Sequence, residues 1–211
     1  MKRYIFSLIL LSFSLCGFAQ FGSMKEVSDV AAVKDKMEAN ARQTKSIKAN
    51  FTQEKHLNIL EEVIRSKGSF LFKKENKVRW NYTHPYAYLI IINNGKIHIN
   101  DEGKKKSYDT ESSKMFAQIN KIVIGTAKGT LFSDPDYSTR FLENEQYYQI
   151  NLSPKNSKLR DYINEIHLLI DKKDLSVSQL KMIEKSGDFT LVRFIEKQLN
   201  LEVNDSEFTM P

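Results

Sequence analysis

The sequence predicts a mainly β domain with helical additions, an antiparallel meander curling toward a barrel. Three observations carry this. Short runs alternate apolar and polar side chains, as Val78, Trp80 and Tyr82 do against Lys77, Arg79 and Asn81. Polar turn signals such as Asn94-Gly95 and Ser186-Gly187-Asp188 recur between those runs. Helical spacing is confined to one stretch near the N-terminus and one insertion in the middle. Gly and Pro are sparse and no linker-like stretch occurs, so one continuous domain is expected.

Residues 1–19 read as a leader rather than as part of that domain. Lys2 and Arg3 are followed by the uncharged apolar run Tyr4 to Leu15 and the small-residue exit Gly17-Phe18-Ala19. That is the layout of a secretory signal peptide, with cleavage expected before Gln20. The run is shorter than the roughly 20 residues a spanning helix needs. Cys16 is the one cysteine, and Leu15 before it argues against lipid attachment, which wants a small residue there. Residues 20–211 then form a secreted domain in which no cysteine chemistry is available.

The first helix is expected from Ser23, whose spacing to Glu26 fits a capping box, to near Lys45. Val27, Val30, Ala31, Met37 and Ala41 lie on its stripe, interrupted by Lys34. Strands follow. Phe70 and Phe72 alternate with their neighbours, then come Val78–Tyr82 and the continuous apolar run Tyr88–Ile92. Asn94-Gly95 marks a type I′ hairpin into Ile97 and Ile99, and Glu102-Gly103 a second turn into Lys105–Tyr108. Met115, Phe116, Ile119, Ile122 and Val123 return to helical spacing, with breaks expected at Gly125 and Gly129 and a short apolar segment at Leu131-Phe132. Strands resume over 147–152, 163–170, 175–184 and 189–201.

The formal charge of +6 does not imply nucleic acid in a secreted chain, and two of the positive charges, Lys2 and Arg3, belong to the leader. Lys73-Lys74 and Lys104-Lys105-Lys106 read as solvated surface. His56, His84, His98 and His167 are scattered without metal-ligand spacing. The carboxylate pairs Glu61-Glu62 and Asp134-Pro135-Asp136 fall in segments that read as exposed loop, where neither pKa would be raised for catalysis. No metal, cofactor or catalytic set is implied. The apolar face of a single curved sheet needs cover, and only the first helix and the Met115–Phe132 insertion are available. A filled core and a ligand cavity both satisfy that pattern.

Phe51-Thr52-Gln53 follows the first helix. After it come Gly68-Ser69-Phe70-Leu71-Phe72-Lys73-Lys74, Val78-Arg79-Trp80-Asn81-Tyr82, Pro85 and Ile91-Ile92-Asn93-Asn94-Gly95. Read together, this order resembles the periplasmic outer-membrane lipoprotein carriers, the LolA family. Residues 148–155 and the final Phe208-Thr209-Met210-Pro211 extend the resemblance over nearly the whole mature chain.

The resemblance implies an incomplete antiparallel β-barrel, about ten to eleven strands on the pattern above, closed by short helices over an apolar cavity. It implies a periplasmic carrier that takes acylated lipoproteins from an inner-membrane releasing transporter and delivers them to an outer-membrane acceptor. Such a carrier acts as a monomer, without nucleic acid or stable membrane insertion. Val78, Trp80 and Tyr82 match the family's cavity-facing strand, with Phe70 and Phe72 beside it. Ile119, Ile122 and Ile124 match its lid helix, and Val33 and Met37 lie under the first helix. The family's Arg-Pro pair is replaced by Lys74-Glu75. In the family that arginine bonds lid backbone, so Lys74 is a latch candidate without the planar fork. A lipid- or lipoprotein-sensing module on the same fold, or an enzyme on an apolar substrate, are the competing readings. The enzyme would need a buried polar group of strongly shifted pKa.

Overall fold

The computed structural model describes residues 23–59, 62–109 and 114–211, with the side chains of 114–120 and 158 also left aside. The leader, Glu61 and the side chains of Met115, Phe116 and Ile119 lie outside the described residues.

Twelve antiparallel strands form one sheet that does not close. In chain order they are β1 (Lys25–Glu26), β2 (Ser46–Leu57), β3 (Glu62–Lys73), β4 (Lys77–His84), β5 (Tyr88–Asn93), β6 (Lys96–Asp101), β7 (Lys104–Asp109), β8 (Tyr137–Glu143), β9 (Tyr147–Pro154), β10 (Ile163–Asp171), β11 (Val177–Glu184) and β12 (Phe189–Leu199). Their spatial order is β1-β8-β9-β10-β11-β12-β2-β3-β4-β5-β6-β7. Two meanders thus meet at the pairing of β12 with β2, where Phe194 lies opposite Phe51.

That order dictates the covering layer. The chain leaves β7 at one edge and must reach β8 beside the other, and helix α2 (Lys114–Lys128) lies in this connection. Helix α1 (Val30–Gln43) lies in the connection from edge strand β1 to central β2. Val33, Met37 and Ala41, one turn apart, are the buried stripe of α1. Burying a side chain such as Met37 contributes about 1.5–3 kcal/mol.

Several expectations need correction. α1 does not open at Ser23. Its cap is Asp29, whose carboxylate accepts from the Ala32 N–H at 2.9 Å, while Glu26 belongs to β1 and pairs with Arg140. Ala31 is exposed, and the helix ends at Gln43 rather than Lys45. Gly125 does not break α2, which runs on to Lys128. Gly129 does end it: its φ of +75° suits glycine, and a Cβ there would lie 3.0 Å from Glu38 Cα of α1. Leu131-Phe132 forms a single 3₁₀ turn, Thr130–Ser133, with both side chains buried. Among the described residues the strands number twelve, because β1, β2 and β8 were not anticipated as strands. The later strand runs are trimmed, with β11 starting at Val177 and β12 ending at Leu199.

The continuous apolar run of β5 has a physical reason. Ile92 packs among the inner residues Phe72, Val78 and Ile97, whereas Leu89 and Ile91 pack on the outer face against Phe208. The C-terminal segment crosses that outer face and is pinned there. Lys73 Nζ and Lys77 Nζ grip Asp205 at 2.5 and 2.7 Å, and Asn93 Nδ2 donates to the Phe208 carbonyl at 3.2 Å. The run Lys104–Lys106 lies on edge strand β7, where lysines discourage pairing with another sheet.

Candidate ligand cavity

Between the concave face of the sheet and its helical cover lies a cavity of about 80 Å³. β2, β3 and β4 contribute Ala49, Phe70 and Trp80; β10, β11 and β12 contribute Leu168, Leu180 and Phe194. The roof is Met37 and Ala41 of α1 with Val123 and Ala127 of α2.

One wall is aromatic. Trp80 meets Phe70 and Phe51 edge-on, with ring centroids 5.1 and 5.3 Å apart, and Phe194 at 6.0 Å. Such pairs contribute about 0.5–1.5 kcal/mol each beyond area burial. The indole Nε1 is buried and has no hydrogen-bond partner among the described residues. Behind that wall Tyr82 stacks on Trp80 and donates its hydroxyl to Gln53 Oε1 at 3.0 Å. Burial, and secondarily the neighbouring Tyr88, push its phenol up to about 12.

The opposite end is polar. Lys197, Ser176, Asn40 and Thr44 line the cavity there. Lys197 Nζ donates to the hydroxyls of Ser176 at 2.6 Å and Ser178 at 3.1 Å, with Asp174 Oδ2 3.4 Å away. Asn40 Nδ2 of α1 donates to the Asp174 carbonyl at 3.4 Å. No group of acidic, histidine or cysteine residues among those described is arranged to hold a metal.

Of the residues singled out from sequence, Met37, Phe70 and Trp80 line the cavity. Val33 and Ile122 sit in the adjoining core of α1, β9 and β10. Phe72, Val78, Ile124 and Tyr82 sit in the core along β2–β6. Ile119 is on α2, with its side chain outside the described residues. Lys74 Nζ donates to the carbonyl of Arg42 in the last turn of α1, at 2.6 Å.

Asp134 and Asp136 are not an idle exposed pair. Asp134 is only 14% exposed, and both carboxylates hold Lys121 of α2, at 2.9 and 2.5 Å. Burial disfavours the Lys121 charge, but the two carboxylates outweigh it and raise its pKa.

Sequence reasoning missed Phe194, Leu180, Asn40 and Lys197. For β12 the reason is local. A bulge separates Ile195 from Gln198, with Glu196 at φ +53°. Before it Phe194 faces the cavity; after it Lys197 and Leu199 do, and Glu196 turns outward to accept from Asn50 Nδ2. Simple alternation along β12 would have reversed those orientations. The positive-φ residue was not legible, because it is a glutamate.

An open antiparallel sheet whose apolar concave face is roofed by two helices, with a cavity between, defines a fold suited to apolar ligands. Residues 42–211 match the model of the outer membrane lipoprotein carrier protein LolA, and the chain belongs to that family. It is 24% identical over 199 residues to an outer-membrane lipoprotein carrier protein of Cupriavidus pinatubonensis, covering 86% of this chain and 85% of that one. Among solved structures it is similar to an uncharacterized conserved protein of Thermus thermophilus, with TM-score 0.52, 9% identity, and coverage of 85% and 93% of the two chains. A LolA superfamily protein of Nitrosomonas europaea gives TM-score 0.48 at 12% identity, covering 87% and 99%. No described helix is long and apolar enough to cross a membrane.

Proposed function

We propose that this chain is a periplasmic carrier that binds the acyl chains of lipoproteins in the helix-roofed cavity. It shuttles them from an inner-membrane releasing transporter to an outer-membrane acceptor. The observation that carries the reading is the cavity itself, apolar over most of its wall, in a chain of the LolA family. The leader at residues 1–19 supports a periplasmic site of action.

The energetics call for such a shield. Each methylene in water costs about 0.8 kcal/mol relative to an apolar site, so an acyl chain of about 16 carbons costs on the order of 12 kcal/mol. A carrier must offset much of this and still release. At about 80 Å³ the cavity is far below the roughly 300–1,000 Å³ of ligand pockets. This is therefore the closed form, and loading requires α1 and α2 to move outward. The free energy of opening is subtracted from acyl affinity, which keeps delivery feasible.

The test is release. Mature protein is added to spheroplasts making a labelled outer-membrane lipoprotein, and the soluble fraction is examined for a complex. Wild type should form one; Trp80→Glu should fold and form none. Absence of release by wild type, despite binding of a hydrophobic probe, would favour the lipid-sensing reading instead.

A further inference from the structure

We propose that the polar end of the cavity is a subsite for the oxygen-bearing head of an acyl ligand, with the Lys197 ammonium as its anchor. This rests on the acyl-binding reading of the cavity and adds what the ligand must carry into it.

Lys197 is the one charged side chain lining the cavity among the described residues. An ammonium has three protons to donate. Two go from Lys197 to the hydroxyls of Ser176 and Ser178. Asp174 Oδ2, 3.4 Å away, is its ion-pair partner. The other Asp174 oxygen is engaged by the backbone N–H and the hydroxyl of Ser176. At 3.4 Å the Asp174 contact is longer than the usual charged N–H···O bond, so a ligand oxygen at closer range can compete for the third proton. The Trp80 indole N–H on the aromatic wall is buried and unpaired among the described residues. It and Lys197 are both donors, and no buried unpaired acceptor lines the cavity among the described residues. A pure hydrocarbon offers Lys197 no acceptor; a ligand with an oxygen at its head offers one at the Lys197 end.

The placement of Lys197 is specific. Its side chain is 13% exposed, and the bulge at Glu196 turns it from the outer face to the inner one. A lysine serving solubility would need no such device, since regular alternation already faces water at that position. The aromatic wall then takes the hydrocarbon and the Lys197 end takes the head. The shared ligand chemistry is an acyl oxygen, either the carboxylate of a free fatty acid or the ester carbonyl of an acylated lipoprotein. A carboxylate gains the charge-assisted bond; an ester gains a neutral acceptor's share.

The experiment compares palmitate, methyl palmitate and hexadecane as competitors of a neutral naphthylamine probe, in wild type and Lys197→Met. Methionine keeps the stem length and removes the donors. Palmitate should weaken by about tenfold or more in Lys197→Met, the size of one charged hydrogen bond, while hexadecane stays within about twofold. Lys197→Arg should retain palmitate. A methyl palmitate loss of about threefold alongside would identify the ester as a ligand of the same subsite. Palmitate within about twofold of wild type, or hexadecane weakened equally, would overturn the proposal. Should Lys197→Met fail to fold, Lys197→Leu carries the same comparison. Failure of wild type to bind the neutral probe would instead sink the cavity reading itself, and this subsite with it.

Discussion

Phe51 and Tyr82 meet edge to face across Gly68, with ring centroids 5.0 Å apart. Gly68 is the register partner of both, Phe51 on β2 and Tyr82 on β4. Its missing side chain lets two aromatic rings from non-adjacent strands touch in the core behind the cavity's Trp80 wall. The space is already taken: a Cβ at Gly68 would lie 1.9 Å from the Asn81 carbonyl oxygen.

Gly68→Ala should therefore destabilise the fold by about 3 kcal/mol, at the upper end of overpacking costs, because the obstacle is backbone. Urea unfolding should show the midpoint fall with the slope unchanged. A midpoint equal to wild type would mean that β4 shifts freely at this point.

Lys74 joins the β3–β4 turn to the end of α1 through one hydrogen bond to the Arg42 carbonyl. Arginine offers a planar fork and more donors to the same helix end. Lys74→Arg should slow release of a bound hydrophobic probe several-fold in stopped-flow displacement. An unchanged off-rate would show that the end of α1 is not a latch.

Lys121 ties α2 to the loop that carries Asp134 and Asp136. Lys121→Met should loosen that end of the roof and speed probe entry. Its cost to stability should be about 1 kcal/mol, since Lys121 and Asp136 are partly solvated and screened. Faster entry with nearly unchanged stability marks α2 as a moving part; slower or equal entry would count against it.

Acid should release the C-terminal segment. Hydrogen bonds from Lys73 and then Lys77 hold the Asp205 carboxyl below its ordinary 3.8, at about 2. A group lowered on folding contributes its stabilisation fully above its unfolded pKa and loses it as pH falls toward the folded one. The contacts of residues 203–208 should thus persist at about pH 5 and weaken from about pH 4 to 2. Asp205→Asn should abolish that part of the acid limb in NMR titration of the Phe208 amide. An Asp205 titrating near its ordinary 3.8 would show that the lysine grip is absent in solution.

The parts legible from sequence were those with strong local signals. Val78–Tyr82 alternates cleanly because β4 has one face on the core. Asn94 and Gly95 both take positive φ, at 50° and 72°, as a type I′ turn demands. The apolar spacing of α1 and α2 exposed the roof. What failed were competing local signals. Ser23 and Glu26 imitate a capping box, but Asp29 caps α1, and Glu26 serves β1 and Arg140. β8 hid because Thr139 stands between its two buried aromatics, Tyr137 and Phe141. The polar end of the cavity depends on a bulge at a glutamate and on residues far apart in sequence, Asn40, Asp174 and Lys197. No period or motif encodes such a meeting.

β12 docks between β11 and β2, so the strand that comes last in chain order completes the middle of the sheet rather than its rim. A chain that emerges N-terminus first holds β2–β7 with a bare backbone edge and an uncovered aromatic face until that strand arrives. Pairings so distant in sequence form late, and the half-built sheet is prone to aggregate. The cavity wall, which takes Phe194, Lys197 and Leu199 from β12, is thus incomplete in any nascent intermediate that lacks it. The chain therefore depends on protection of its bare edge until its last strand pairs.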